Sequence, residues 1–187
     1  MIKIAMFDTK PYDKEAFEPF NKDDIRITYY DTKLETATAS LASGYDCVTV
    51  FVNDEVNSDV INSLYGYGVK LIALRCAGFN NVDVRAAFGK IHIVRVPAYS
   101  PYSVAEHTAA LLLTSVRRIH KAYNRTREYN FSIVGFTGMD LHGKTVGVIG
   151  AGKIGRAFID ICRGFGMEVL AYDKYPNLTI PASFVKP

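Results

Sequence analysis

The stretch HGKTVGVIGAGKIG, residues 142–155, decides the fold of the second half of the chain. Its apolar run at residues 145–149 predicts a strand, and residues 153–165 are expected to form the helix that follows. A second strand is predicted at residues 169–172 and ends directly before Asp173. Strand, glycine-rich turn, helix and strand in this order predict a unit with two parallel strands.

Three glycines with the spacing G-x-G-x-x-G stand where the first strand turns into the helix. Gly150 permits the tight turn, Gly152 lets the backbone approach a pyrophosphate, and Gly155 lets the helix pack closely on the strand. The amides of Lys153 and Ile154 are expected in the first helical turn, where unpaired N–H groups and the helix dipole favour an anion. The motif therefore predicts a dinucleotide-binding site.

Asp173 follows Gly150 at the separation of about 20 residues that the fingerprint requires. An acidic side chain at the end of the second strand can accept both hydroxyls of a ribose, and it would repel a 2′-phosphate. The sequence therefore favours NAD over NADP as the cofactor. The alternative is a glycine-rich turn that binds nothing, with Asp173 as a surface carboxylate.

The first half of the chain alternates short apolar runs with helical stretches. Such alternation is typical of a parallel sheet covered by helices on both faces. Residues 1–99 are therefore predicted to form one doubly wound α/β domain of about five strands. The expected strands are 2–7, 25–30, 46–51, 69–74 and 91–96, and the expected helices are 13–20, 58–65 with Ser58 as N-cap, and 83–88.

A proline-containing break at residues 96–102 precedes a long predicted helix, from Pro101 to about Tyr129. Residues 108–116 are nearly all apolar, which indicates burial on several sides, between domains or between subunits. The basic residues that follow are interpreted as a solvated face. We therefore expect a homodimer through the 101–127 helix.

The composition excludes several classes of protein. The chain has 187 residues, 49% hydrophobic and 22% charged, which is ordinary for a globular protein. A net charge of +3 predicts no nucleic-acid partner, and the lack of an apolar run of about 18 residues predicts no membrane span. Cys47, Cys76 and Cys162 have neither metal-ligand nor redox spacing, so we expect reduced thiols, no metal and a cytoplasmic location.

Several motifs in order resemble the D-isomer-specific 2-hydroxyacid dehydrogenases, and most closely their D-lactate dehydrogenase branch. They are LRCAGFNNVD (74–83), PAYSPYSVAEHTAALLL (97–113), DLHGKTVGVIGAGKIG (140–155) and AYD (171–173). The resemblance implies a flavodoxin-like substrate domain over residues 1–99 and an NAD-binding Rossmann domain over residues 100–187. It also implies hydride transfer between NAD and a small 2-keto or 2-hydroxy acid, with pyruvate and D-lactate as the pair.

The resemblance assigns the substrate carboxylate to backbone amides of Cys76, Ala77, Gly78 and Phe79, and it places Tyr99 near the substrate. The residues themselves agree for the loop, because it leaves the carboxyl end of a strand, where α/β sheets bind ligands. Gly78 also frees the backbone for close approach. For Tyr99, a core or hinge aromatic is the alternative.

Four other residues invite a catalytic interpretation that we do not favour. Adjacent residues Glu106 and His107 point about 100° apart on a helix, and the resemblance makes them structural. Arg75 is expected to support the fold, and Cys76 has no nearby base that would make it a nucleophile.

The sequence departs from the family in its second half. No residue matches the arginine, histidine and glutamate with which the family binds the carboxylate and transfers the proton. Only two Rossmann strands are predicted, so strand 145–149 is expected to expose an apolar edge, and residues 177–187 do not follow the family pattern. We therefore expect a truncated chain that is inactive alone. The alternatives are a non-catalytic NAD-binding or dimerising remnant, and a dehydrogenase for another 2-hydroxyacid.

Overall fold

The computed structural model describes residues 1–175, 179 and 182–184, and it divides the chain into two compact units, Met1–Tyr99 and Ser100–Pro187. Most of the segment 177–187, for which we predicted divergence from the family, lies outside the described residues.

The first unit is a five-stranded sheet with helices between its strands. All neighbouring strands pair in parallel, in the order β2-β1-β3-β4-β5, which is the flavodoxin-like order. The predicted fold class is therefore confirmed. The elements are β1 (Ile2–Met6), α1 (Pro11–Phe17), β2 (Ile25–Tyr29), β3 (Cys47–Val50), α2 (Ser58–Gly66), β4 (Leu71–Leu74), α3 (Val84–Ala87) and β5 (His92–Arg95).

The core of the first unit lies around its central strands. Val48 and Val50 of β3 are fully buried, and α2 contributes Val60, Ile61 and Leu64 to the same cluster. Each such side chain stabilises the fold by about 1.5–3 kcal/mol. This packing fixes the carboxyl ends of the strands, where the candidate substrate loop begins.

The predicted N-cap of one helix in this unit and the predicted bounds of another are wrong. Asn57, not Ser58, caps α2, because its side-chain oxygen accepts hydrogen bonds from the amides of Asp59 and Val60. Asn and Ser are about equally good caps, so the sequence did not separate them. The helix predicted at 13–20 begins at Pro11 and ends at Phe17, and residues 18–20, which include Pro19, form a 3₁₀ turn.

The second unit contains a three-stranded parallel sheet, in the order β6-β7-β8. The prediction of two strands is wrong, because the short β8 pairs with β7 through Leu170 and Ala171. The strand β6 lies at the edge of the described sheet, and the Ile149 side chain is 87% exposed. The elements are α4 (Pro101–Arg117), α5 (Ile119–Arg127), β6 (Thr145–Ile149), α6 (Lys153–Gly164), β7 (Glu168–Tyr172) and β8 (Ser183–Phe184).

The long helix predicted from Pro101 is interrupted at Arg118. This residue adopts the left-handed conformation, with φ of 52°, and it ends α4 and begins α5. Its guanidinium donates to the carbonyl oxygen of Gly135, which ties the break to the following loop. Among the described residues, α4 buries Ala105 and Ala109 and exposes Leu111, and the burial of residues 108–116 between domains or between subunits stays a prediction.

Among the residues that the structure describes, no helix is both long and apolar enough to span a bilayer.

Candidate functional site

The loop that follows β4 begins at Arg75, an arginine with a largely inaccessible side chain. The Arg75 guanidinium donates to the carbonyl oxygens of Phe7 and Asp8 and to the Thr49 hydroxyl, at 3.0, 3.2 and 3.1 Å. Its Nε lies 3.4 Å from a carboxylate oxygen of Asp13, and both side chains are nearly inaccessible. All these partners belong to β3 or to the segments that follow β1, so Arg75 joins the strand ends to each other, as expected of a residue that supports the fold.

The backbone of the loop leaves a run of amides free. Among the described residues, the N–H groups of Cys76, Ala77, Gly78 and Phe79 find no acceptor. The carbonyl oxygens at the two ends of the run are occupied, since Cys76 accepts from Val96 and Phe79 accepts from Val82. Consecutive unpaired N–H groups form a concavity that suits an anion.

Side chains hold the two inner carbonyl groups of this loop. Arg95 donates to the carbonyl oxygen of Ala77 at 2.8 Å, and its guanidinium lies over the Phe79 ring at 5.3 Å. The Cys76 thiol donates to the carbonyl oxygen of Gly78 at 3.2 Å. Sequence reasoning missed Arg95. The sequence did place Arg95 near the end of the predicted strand 91–96, and this position was the signal that could have pointed to it.

Gly78 and Tyr99 are both accessible. A Cβ atom added at Gly78 would meet nothing within 4 Å, so the backbone there is open to approach. The Tyr99 side chain is 62% exposed, so Tyr99 is not part of the hydrophobic core of the first unit. Contact between Tyr99 and a substrate stays a prediction.

The glycine-rich turn has the local geometry that its motif predicts. Gly150 has a φ of 92°, a conformation that other residues rarely adopt. A Cβ atom at Gly155 would overlap the carbonyl oxygen of Gly150, so only glycine allows this approach of α6 to the turn. Around Gly152 there is open space, and no side chain caps the first turn of α6, in which Lys153 and Ile154 lie.

Asp173 binds the glycine-rich turn directly. One carboxylate oxygen accepts from the Ala151 amide at 2.7 Å, and the other accepts from the Tyr175 amide at 2.8 Å. The hydrogen bonds from Tyr175 and Ala151 lower the pKa of the Asp173 carboxyl, so the group is charged at neutral pH. Each oxygen keeps a second lone pair, so the turn and a ribose can be bound by the same carboxylate.

The remaining candidates show no reactive geometry. Glu106 and His107 lie exposed on α4, and their side chains make no hydrogen bond or ion pair with the described residues. All three cysteines are free and buried, and burial raises the pKa of the Cys76 thiol, which opposes a nucleophilic role. The described part of the chain contains no cluster of three or more metal-ligating side chains.

The comparison with protein families decides the assignment. The family model of the D-isomer specific 2-hydroxyacid dehydrogenase catalytic domain matches residues 4–174. The chain belongs to this family. The predicted resemblance is therefore confirmed, and it covers both units.

Individual relatives within the family are similar over the same region. A D-lactate dehydrogenase of Escherichia coli is 49% identical over 179 residues, which cover 94% of this chain and 54% of the relative. A 2-hydroxyacid dehydrogenase homolog of Haemophilus influenzae is 51% identical, with the same coverage. The chain thus spans about half the length of the curated relatives it matches.

Solved structures of family members show the same fold. The apo structure of the Escherichia coli D-lactate dehydrogenase has a TM-score of 0.89 and 47% identity, over 99% of this chain and 60% of that one. A D-lactate dehydrogenase of Aquifex aeolicus, solved with NAD and lactic acid, has a TM-score of 0.79 and 28% identity, over 97% of this chain and 55% of that one.

Proposed function

We propose that this chain carries the substrate-carboxylate loop and the first part of the NAD site of a D-lactate dehydrogenase. The reaction is the interconversion of pyruvate and D-lactate by hydride transfer. The observation that carries the proposal is the run of free amides at residues 76–79, on the segment that resembles the family's substrate loop.

The loop would hold the substrate through its carboxylate. Backbone N–H groups form strong hydrogen bonds to an ionised oxygen, and the open face at Gly78 allows the ligand to approach the backbone. We assign the amides of Cys76, Ala77, Gly78 and Phe79 to this role, and Tyr99 to a contact with the rest of the substrate.

The glycine-rich turn fits NAD. The tight contact of Gly155 with Gly150 brings the start of α6 against the turn, and the uncapped amides of Lys153 and Ile154 suit a pyrophosphate. NAD supplies the hydride acceptor and donor of the reaction. The charged Asp173 would accept the ribose hydroxyls and disfavour a 2′-phosphate, which supports NAD over NADP.

The 187 residues alone are proposed not to complete the reaction. No segment among them resembles the family motifs for the arginine that pairs with the carboxylate or for the histidine and glutamate that deliver the proton. Binding without turnover is the expected behaviour of the chain. Pyruvate is the preferred substrate class because residues 97–113 resemble the lactate branch, and another 2-hydroxyacid is the alternative.

NADH binding tests the cofactor assignment. NADH fluorescence should increase or shift on titration with the purified chain, and NADPH should bind at least about tenfold more weakly, a difference of about 1.4 kcal/mol. Replacement Asp173→Ser should reduce this preference, whereas Asp160→Ser, an exposed carboxylate on α6, should not. Equal affinity of the unsubstituted chain for both cofactors would contradict the assignment.

We also propose that the chain forms a homodimer in the cytoplasm. Apolar side chains of the two helices in segment 101–127 face solvent in the single chain, among them Leu111, Ile119 and Tyr123. Free, buried thiols are consistent with a reducing compartment. Sedimentation should give a defined dimer that Leu111→Asp shifts toward monomer; a monomeric parent chain would contradict this proposal.

A further inference from the structure

The register of β4 and β5 brings a second arginine to the substrate loop. Leu74, the last residue of β4, pairs with Arg95, the last residue of β5. Beyond this pair the regular ladder ends, and the Val96 amide donates to the carbonyl oxygen of Cys76 in the loop. Arg95 therefore stands at the carboxyl edge of the sheet, beside the loop, although the two lie 16 or more positions apart in sequence.

The Arg95 guanidinium joins this loop to the segment after β5. Its strongest contact is the 2.8 Å hydrogen bond to the carbonyl oxygen of Ala77. The same nitrogen lies 3.4 and 3.3 Å from the carbonyl oxygens of Val96 and Pro97. The central carbon of the guanidinium also lies over the Phe79 ring, 5.3 Å from its centroid, an arrangement in which the aromatic face attracts the cation.

A bond to a carbonyl oxygen sets the direction of the next amide. In a planar trans peptide the C=O and N–H groups point in opposite directions, so Arg95 at Ala77 directs the N–H of Gly78 away from itself. The Cys76 thiol at the Gly78 carbonyl directs the N–H of Phe79 in the same manner. A charged donor on the carbonyl also polarises the peptide and makes its N–H a stronger donor.

Arg75 does not have this role. Its donors reach the segments after β1 and the hydroxyl of Thr49 on β3, and none of them contacts a carbonyl group of residues 76–79. Arg95 contacts the loop itself at Ala77 and Phe79. The two arginines that flank the loop therefore act on different parts of the fold.

We propose that Arg95 is a positioning residue for substrate binding, which holds the Gly78 amide in the orientation that receives the substrate carboxylate. This inference rests on the function proposed above for residues 76–79. Arg95 acts through the peptide between Ala77 and Gly78 and through the Phe79 ring, without itself binding the carboxylate. Its loss should weaken carboxylate binding while the five-stranded sheet stays folded.

The test is a titration of the ¹⁵N-labelled 187-residue chain with oxamate, an unreactive analogue of a 2-keto acid, followed by ¹H–¹⁵N spectra. In the parent chain the Gly78 and Phe79 amide signals should move in a saturable manner. Arg95→Met should raise the dissociation constant by about fivefold or more, corresponding to about 1 kcal/mol. Arg95→Lys should bind with intermediate affinity, because an ammonium group donates to a carbonyl oxygen but has no plane to stack on Phe79.

Arg26→Met is the matched control, because Arg26 is exposed on β2, at the opposite edge of the sheet from β5. It should bind oxamate as the parent does. Parent-like binding by a folded Arg95→Met chain would overturn the role of Arg95 and leave the proposed function intact. Absence of any Gly78 response in the parent would overturn both. If Arg95→Met does not fold, Arg95→Lys decides: parent-like affinity in that variant overturns the proposal.

Discussion

Replacement of Gly155 by alanine tests the packing that brings α6 onto the glycine-rich turn. The added Cβ would overlap the carbonyl oxygen of Gly150, a backbone atom that can move only if the turn or the helix moves. Overpacking of this kind costs about 1–3 kcal/mol, and the helical preference of alanine offsets about 0.5–1 kcal/mol. We therefore expect Gly155→Ala to destabilise the second unit by about 1–2 kcal/mol.

Gly164→Ala provides the matched control, because it is the same change in the same helix at a site with nothing within 4 Å. It should be neutral or stabilising by up to about 1 kcal/mol. Hydrogen exchange measured by mass spectrometry separates the two units. Peptides from β6 and α6 should exchange about tenfold faster in Gly155→Ala, since about 1.4 kcal/mol is a factor of ten.

Peptides from residues 1–99 serve as an internal reference and should exchange at the parent rate in both variants. Unchanged exchange of β6 and α6 in Gly155→Ala, or the same change in both alanine variants, would refute the packing described for Gly155.

Three further outcomes follow from other contacts. Arg75→Met should destabilise the first unit by about 3–5 kcal/mol, because it leaves the buried Asp13 carboxylate without its cation. Urea unfolding measures this loss, and the free energy of unfolding of the control Arg26→Met should differ from that of the parent by no more than about 0.5 kcal/mol. The pKa of the Asp173 carboxyl is lower in the folded chain than its ordinary value of about 3.9. The ionised carboxylate therefore stabilises the turn at any pH above the ordinary value, and this stabilisation is lost as the pH falls through the lower pKa of the folded chain. Hydrogen exchange of the Ala151 amide, corrected for its intrinsic rate, should accordingly become faster as the pH falls through the pKa of folded Asp173. In Asp173→Asn this pH-dependent increase should be absent. Asn57→Ala should cost about 1 kcal/mol in urea unfolding through loss of the α2 cap, whereas Ser58→Ala should be nearly neutral.

The features that sequence reasoning predicted correctly depend on local patterns. Apolar runs of strand length, separated by helical stretches, were sufficient to predict the parallel sheet of the first unit. The glycine motif at residues 150–155 carries its own geometry, because only glycine permits the φ of Gly150 and the close contact of Gly155. The assignment of loop residues 76–79 to the substrate carboxylate stays a prediction, which rests on their position after a strand and on a family motif.

The features that it missed depend on contacts between distant residues. The break at Arg118 places an ordinary helix former in the left-handed conformation, with its side chain bound to Gly135, and no local signal marks it. The short strand β8 exists through its pairing with β7. Arg95 reaches the loop only because of the register between β4 and β5, which the sequence does not display.

Pyruvate reduction by the purified chain tests the central claim, that these residues bind substrate and cofactor without completing the reaction. The measurement is the loss of NADH absorbance in the presence of pyruvate, with a full-length D-lactate dehydrogenase as positive control and with NADH binding by the chain verified on the same sample. We expect binding and no measurable turnover. Turnover above about 1 s⁻¹, the lower end of ordinary enzyme rates, would contradict the account.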